Sequence, residues 1–229
     1  LAVICGADTW VDIETFGRKK ESWLQQFLSL PNGIPSHDTF ARAFSILNPD
    51  AFHSCFTKWV KSVRKVSKGE VVAIDGKTVR RAHSKDGRPP HIISAFATAN
   101  GITLGQLQVD DKTNEITAIP DLLDLLMLKG CIVTTDAMGC QSAIAEKIVE
   151  NKGDYVLAVK GNQGRLYQDI QATFNASDFK DFDYAHTSEK SHGRTELREC
   201  WVTANLAGIR DQKRWDKLTS VVKVADTRT

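Results

Sequence analysis

The sequence predicts an α/β protein. Its centre is a mixed five-stranded sheet of order 3-2-1-4-5, with a helical module in front and a β-rich insertion behind. Three observations predict this. Two short β-branched apolar runs, Val71-Val72-Ala73-Ile74 and Ile132-Val133-Thr134-Thr135, each lead into an aspartate, Asp75 and Asp136. An Asn100-Gly101 pair between two further apolar runs signals a hairpin directly after the first strand. Helical periodicities then separate the later runs, so those strands connect by crossovers and pair in parallel.

The chain has 229 residues, 41% hydrophobic and 25% charged, the composition of a globular protein with room for one large domain or two small ones. No apolar run approaches the roughly 18 residues of a membrane span, so no membrane partner is expected. The first residues lack the basic stretch of a secretory signal, and the chain opens on Leu1 rather than methionine, as a fragment at this end would. Five cysteines, odd in number and without zinc or redox spacing, read as reduced thiols in a cytoplasmic protein. The net charge of +2 says nothing about nucleic acid, but Lys58 to Arg88 carries ten basic residues against three acids. That stretch is either a solvated face with a basic loop or a stripe that meets phosphates beside Asp75.

Residues 1–68 read as the helical module. Trp10, Ile13 and Phe16, then Trp23, Phe27 and Leu30, fall at helical spacing, and Pro31-Asn32-Gly33 interrupts them. Ser36 or Asp38 caps a helix carrying Phe40, Phe44 and Leu47. Asn48-Pro49-Asp50 starts another, with Phe52, Phe56, Trp59, Val60 and Val63 on one face. The aromatic stripes read as core. The two helices fit a helix-turn-helix or a plain αα-hairpin.

Residues 69–229 read as the second domain. Val71 to Asp75 is a strand buried on both faces, Lys77 to Pro90 a basic loop. His91 to Thr98 and Ile102 to Val109 pair through a type I′ turn at Asn100-Gly101. A helix from Thr117 to Leu128 holds Pro120 in its first turn, turns Leu122, Leu123, Leu125, Leu126 and Leu128 inward, and stops at Lys129-Gly130. The second aspartate-bearing strand follows, then a helix from about Cys140 to Glu150. Asp154 to Lys160 reads as the fifth strand, and a helix from near Asn162 carries Leu166, Ile170 and Phe174. Beyond a polar, acidic stretch from Ser177 to Tyr184, Thr195 to Thr203 and Leu218 to Val224 read as strands. This order satisfies a 3-2-1-4-5 sheet, the ribonuclease-H-like arrangement, in which Asp75 and Asp136 end adjacent parallel strands.

Singly, Asp75-Gly76 suits a turn and Asp136 suits a helix cap. Together, at the carboxyl ends of neighbouring strands, they suit a divalent metal site for in-line displacement at phosphorus. Mg²⁺ prefers oxygen ligands and keeps several waters, so few protein ligands are needed. A third acid is open between Glu115, before the fourth helix, and Glu196, in an alternating charged stretch. Lys77, Arg80, Arg81, Lys160 and Arg194 are the cations expected on DNA phosphates. His37, His53, His83, His91 and His186 show no zinc-like spacing and read as structural or exposed.

Ile74-Asp75-Gly76-Lys77, Asn114-Glu115-Ile116-Thr117-Ala118-Ile119-Pro120, Thr134-Thr135-Asp136-Ala137-Met138, Val159-Lys160-Gly161-Asn162-Gln163 and Ser191-His192-Gly193-Arg194 resemble the ISAs-type, or H-repeat-associated, transposases. The resemblance extends to Gly33-Ile34-Pro35-Ser36-His37-Asp38 in the helical module. It implies a DDE insertion-sequence enzyme with a ribonuclease-H-like domain, using Mg²⁺ or Mn²⁺ to cut and join DNA at element ends, with terminal repeats and target DNA as partners and a homodimer as one assembly. Asp75 and Asp136 match that family's first two acids. Its third, a Glu in a late helix behind an Arg and a His-Trp pair, has no match, so the chain reads as truncated before it and inactive alone. Glu196 is then a weak substitute, expected to be exposed and distant from Asp75. Two rival readings remain: a ribonuclease-H-like nuclease using Asp75, Glu115 and Asp136, and an inactive DNA-binding or dimerising fragment.

Overall fold

The computed structural model describes residues 1–3, 5–63, 68–79, 89–109, 115–176, 182–191 and 194–228. Two compact units divide the chain, Leu1–Ser62 and Val63–Thr229.

The first unit holds α1 (Trp10–Leu24), α2 (His37–Ile46) and α3 (Pro49–Val63). A capping box starts α1: Asp12 N donates to Thr9 Oγ1 at 3.1 Å, and Thr9 N donates to Asp12 Oδ2 at 3.1 Å. Ser36, not Asp38, caps α2, its Oγ accepting from Thr39 N at 3.3 Å. Asn48 starts α3 by accepting from Ala51 N at 2.9 Å. The expected aromatic core does not form within this unit. Trp10, Trp23, Phe27, Phe44, Phe52 and Trp59 are all exposed, by 37 to 56%. Three short helices supply too little facing surface to cover rings of this size.

In the second unit β1 (Val71–Thr78), β2 (His91–Ala97), β3 (Ile102–Val109), β4 (Ile132–Thr135) and β5 (Asp154–Leu157) form one sheet of order β3-β2-β1-β4-β5. β1 runs antiparallel to β2 and parallel to β4, as the two kinds of connection require. β1 is buried on one face only: Val72 and Ile74 are covered, while Val71 and Ala73 are half-buried. The covered face continues through Ile93, Ala95 and Ala97 of β2 and lies under α4 (Glu115–Asp124), which packs on β2 and β3. Gly105 lies under that helix, where a Cβ would stand 3.4 Å from Leu122.

The hairpin connection is four residues, 98–101, rather than a type I′ turn. Only Gly101 takes a positive φ, +63°, whereas type I′ needs two. The buried Glu70 carboxylate shapes the loop, accepting from Ala99 N at 3.1 Å and Asn100 Nδ2 at 3.0 Å. α4 is already helical at Glu115, two residues before the expected start, so Pro120 lies beyond its first turn. Leu125 faces outward because the helix ends at Asp124. The expected stop at Lys129-Gly130 is therefore not the helix end; Gly130, at φ +75°, belongs to the turn before β4.

α5 (Ser142–Glu150) makes the crossover from β4 to β5, and α6 (Gly164–Ala176) follows β5 and leads out of this sheet. A separate sheet joins β6 (Asp183–Ser191), β7 (Arg194–Thr203) and β8 (Val221–Arg228). β6 is a strand the sequence did not announce. Phe182, Leu206, Ile209, Trp215 and Val221 pack with Leu166 and Phe174 of α6, tying one end of this sheet to the helix.

Candidate functional site

Alternation along β1 puts Asp75 on the opposite face from Ile74 and Gly76. The β1–β4 ladder is in register, Val71 with Ile132 through Ile74 with Thr135. One position further in that register, Asp75 continues β1 and Asp136 follows the end of β4. Carboxyl ends of parallel strands are where open α/β sheets present ligand groups.

Asp75 remains inside β1, so it is not a hairpin turn. Its carboxylate is 62% exposed, and Lys77 Nζ, on the same face, lies 3.8 Å from Oδ2. Asp136 sits just beyond β4 and closes a turn, Oδ1 accepting from Met138 N at 2.9 Å and Gly139 N at 3.3 Å. Gly139 makes the turn possible, since a Cβ there would stand 2.6 Å from Thr135 Oγ1. The loop after β5 is stitched to this turn. Asn162 Nδ2 donates to Ala137 O at 2.5 Å, and Gln163 Nε2 donates to Cys140 O at 2.9 Å. Lys160 stands exposed at the start of that loop, three residues past the end of β5 rather than on it. The short β5 ends at Leu157 because its partner β4 ends at Thr135. Asn162 and Gln163 had no assigned role in the sequence. The signal was their place two and three residues after Lys160, in a loop that must cross the edge of the site.

The other predicted residues divide. Arg80, Arg81 and His83 lie outside the described residues, as do Asn114 and the His192-Gly193 pair. Arg194 is exposed at the outer end of the second sheet, opposite Ser191. Glu196 lies on β7, seven positions from Thr203, about 20 Å along the strand from the end that packs on α6. It is not the exposed carboxylate expected. Arg228 Nε donates to it at 2.7 Å and Arg198 Nη2 at 2.9 Å, leaving the side chain 25% exposed. The hydrogen bond from Arg228, with both guanidinium charges nearby, holds its carboxyl below the usual value. Glu115 is buried, hydrogen-bonded to His91 Nε2, and sits against Gly76. Gly76 faces away from the side of Asp75, so Glu115 lies on the opposite side of the sheet from the aspartate pair. Among the described residues, no group of three or more His, Cys, Asp or Glu side chains is placed to hold a metal.

Residues 66–216 match the family described as Transposase DDE domain, and residues 1–60 match its companion, described as DDE_Tnp_1-associated. The chain belongs to the DDE transposase family. It is 44% identical to an uncharacterized protein in the dhlA 3′ region of Xanthobacter autotrophicus, over 99% of this chain and 78% of that protein. It is 48% identical to the H repeat-associated putative transposase YhhI of Escherichia coli strain K12, over 86% of this chain and 53% of YhhI. Identity to the H repeat-associated putative transposase YbfD of that strain is 47%, over 86% of this chain and 79% of YbfD. The chain thus spans about half the length of several curated relatives it matches. Transposases of the DDE family normally use a divalent metal. No helix among the described residues is long and apolar enough to cross a membrane.

Proposed function

We propose that this chain is the DNA-processing part of a DDE insertion-sequence transposase, or a remnant of one, built for metal-dependent cleavage and strand transfer at element ends. One observation carries the reading: the β1–β4 ladder runs in register up to the residue before Asp75 and Asp136, and strand alternation then puts both on one side of the sheet. Residues 1–68 form an associated helical module and residues 69–229 the ribonuclease-H-like domain.

The pair fits Mg²⁺ or Mn²⁺. Both are hard oxygen donors, and Asp136 spends only Oδ1 on its turn. Two carboxylates suffice to seat such a cation because water completes its shell. Asp75 and Asp136 would hold the cation, whose chemistry when bound would be Lewis-acid polarisation at phosphorus. Lys77, 3.8 Å from Asp75, and the exposed Lys160 are the cations proposed to neutralise DNA phosphates, with Arg80, Arg81 and Arg194 as further candidates. Glu115, on the other side of the sheet, does not complete the site.

The test is nicking and joining of element-end DNA with Mg²⁺ or Mn²⁺. Nicking that depends on metal and disappears in Asp75→Asn and Asp136→Asn supports the reading. Activity that survives either change rejects it. A second reading, a DNA-binding fragment without catalysis, is favoured by the missing third ligand among the described residues. Tight, salt-sensitive DNA binding without nicking would select it.

A further inference from the structure

We propose that His91 and Glu115 are positioning residues that fix the end of β1, and with it Asp75, from the far side of the sheet; the inference rests on Asp75 being a metal ligand. Asp75 needs such support. The β1–β4 ladder stops at Ile74 and Thr135, one residue short of the two aspartates. Beyond that rung, β1 is held on its other edge by β2, whose first residue, His91, pairs with Thr78.

A polar chain, buried at His91 and Glu115 and open to solvent at Thr78, closes this corner. Thr78 Oγ1 lies 3.0 Å from His91 Nδ1, and His91 Nε2 is hydrogen-bonded to Glu115 Oε1. His91 is 3% exposed and Glu115 6%. One chain of contacts therefore joins the end of β1, the start of β2 and the first residue of α4. It also presses on the backbone next to Asp75. A Cβ built on Gly76 would stand 2.5 Å from Glu115 Oε1 and 2.8 Å from His91 Nε2. Only a glycine lets the pair come this close, so the backbone between Asp75 and Lys77 is clamped against it. An apolar pair of similar volume would fill this corner at least as stably. What the polar pair adds is direction, because hydrogen bonds fix distances that apolar packing leaves loose.

The experiment uses the full chain. Mn²⁺ affinity is read by the loss of its free electron-spin resonance signal, and backbone protection at residues 75–78 by amide hydrogen exchange without metal. Glu115→Ala, His91→Leu and Gly76→Ala are each expected to raise exchange at 75–78 and to weaken Mn²⁺ binding about tenfold or more. Exchange in β7 should not change. Glu115→Gln keeps an acceptor for the imidazole N–H and is expected to restore both readouts. Unchanged exchange and unchanged Mn²⁺ affinity in all three variants, with Asp75→Asn abolishing binding, overturns the positioning role alone. Wild-type protein that binds no Mn²⁺, or binds it equally well as Asp75→Asn, overturns the metal site and this role together. Loss of protection throughout the sheet, not rescued by Glu115→Gln, shows the pair to be ordinary core and rejects the proposal.

Discussion

Asp136 does two things with one side chain. Oδ1 closes the turn after β4, and the carboxylate is the proposed metal ligand. Substitution separates these. Asp136→Asn keeps the acceptor and is expected to unfold at a denaturant midpoint close to wild type, yet to lose metal-dependent nicking. Asp136→Ala loses the turn as well and is expected to cost about 1 kcal/mol in the same titration. Asp169 on α6 makes a second residue-level prediction. Arg210 donates to it from N at 3.0 Å, Nε at 2.8 Å and Nη2 at 2.6 Å, so the carboxyl is held below its ordinary 3.8. The folded state therefore releases this proton more readily than the unfolded chain. Its stabilising contribution is present above the unfolded value and is lost as pH falls through the lower folded one. Asp169→Asn should flatten the acid limb of the denaturation midpoint against pH. An unchanged acid limb would contradict this. Asp75 and Asp136 were legible in the sequence because each ends a β-branched run. The His91–Glu115 pair was not. Its members are 24 residues apart and meet only through the β1–β2 register and the placing of α4.

At the level of elements, the glycine after β4 is the most exposed to test. Gly139→Ala should push the turn from Thr135, displacing Asp136 and weakening Mn²⁺ binding while the rest of the sheet keeps its exchange protection. Core positions should respond differently. Leu122 on α4 is fully buried, and Leu122→Ala is expected to cost about 3 kcal/mol in urea denaturation with no selective effect on metal. The strands that feed the site were readable as short apolar runs between turn residues. β6 was not, because Asp183–Ser191 contains no apolar alternation. It holds its form by nine-residue pairing with β7, a long-range fact that periodicity does not encode. The start of α4 was misplaced because Pro120 suggested a first turn, whereas the helix tolerates it beyond that turn. The hairpin loop was misread because Glu70, far from Asn100 in sequence, supplies its hydrogen bonds.

For the molecule as a whole, DNA binding is expected to fall steeply with salt, each neutralised phosphate contributing roughly 0.9 to the log–log slope. Lys77→Ala should lower that slope by about one unit across unrelated duplexes, measured by fluorescence anisotropy; a sequence-dependent loss would argue for base contact instead. Two carboxylates, with no third ligand grouped with them among the described residues, would hold a cation loosely, so this chain is expected to join strands far less well than a relative of YhhI's length. Equal joining by the two, abolished in this chain by Glu196→Gln, would make Glu196 the missing acid. The uncovered rings of the first unit have a practical consequence at the bench. Trp10, Trp23, Phe27, Phe44, Phe52 and Trp59 leave aromatic surface exposed to water. Sulfate salts make such surface more adhesive at the same ionic strengths that strip nucleic acid from lysines. Washing away bound DNA with ammonium sulfate should therefore turn a clear solution cloudy, whereas a chloride wash at matched ionic strength should leave it clear.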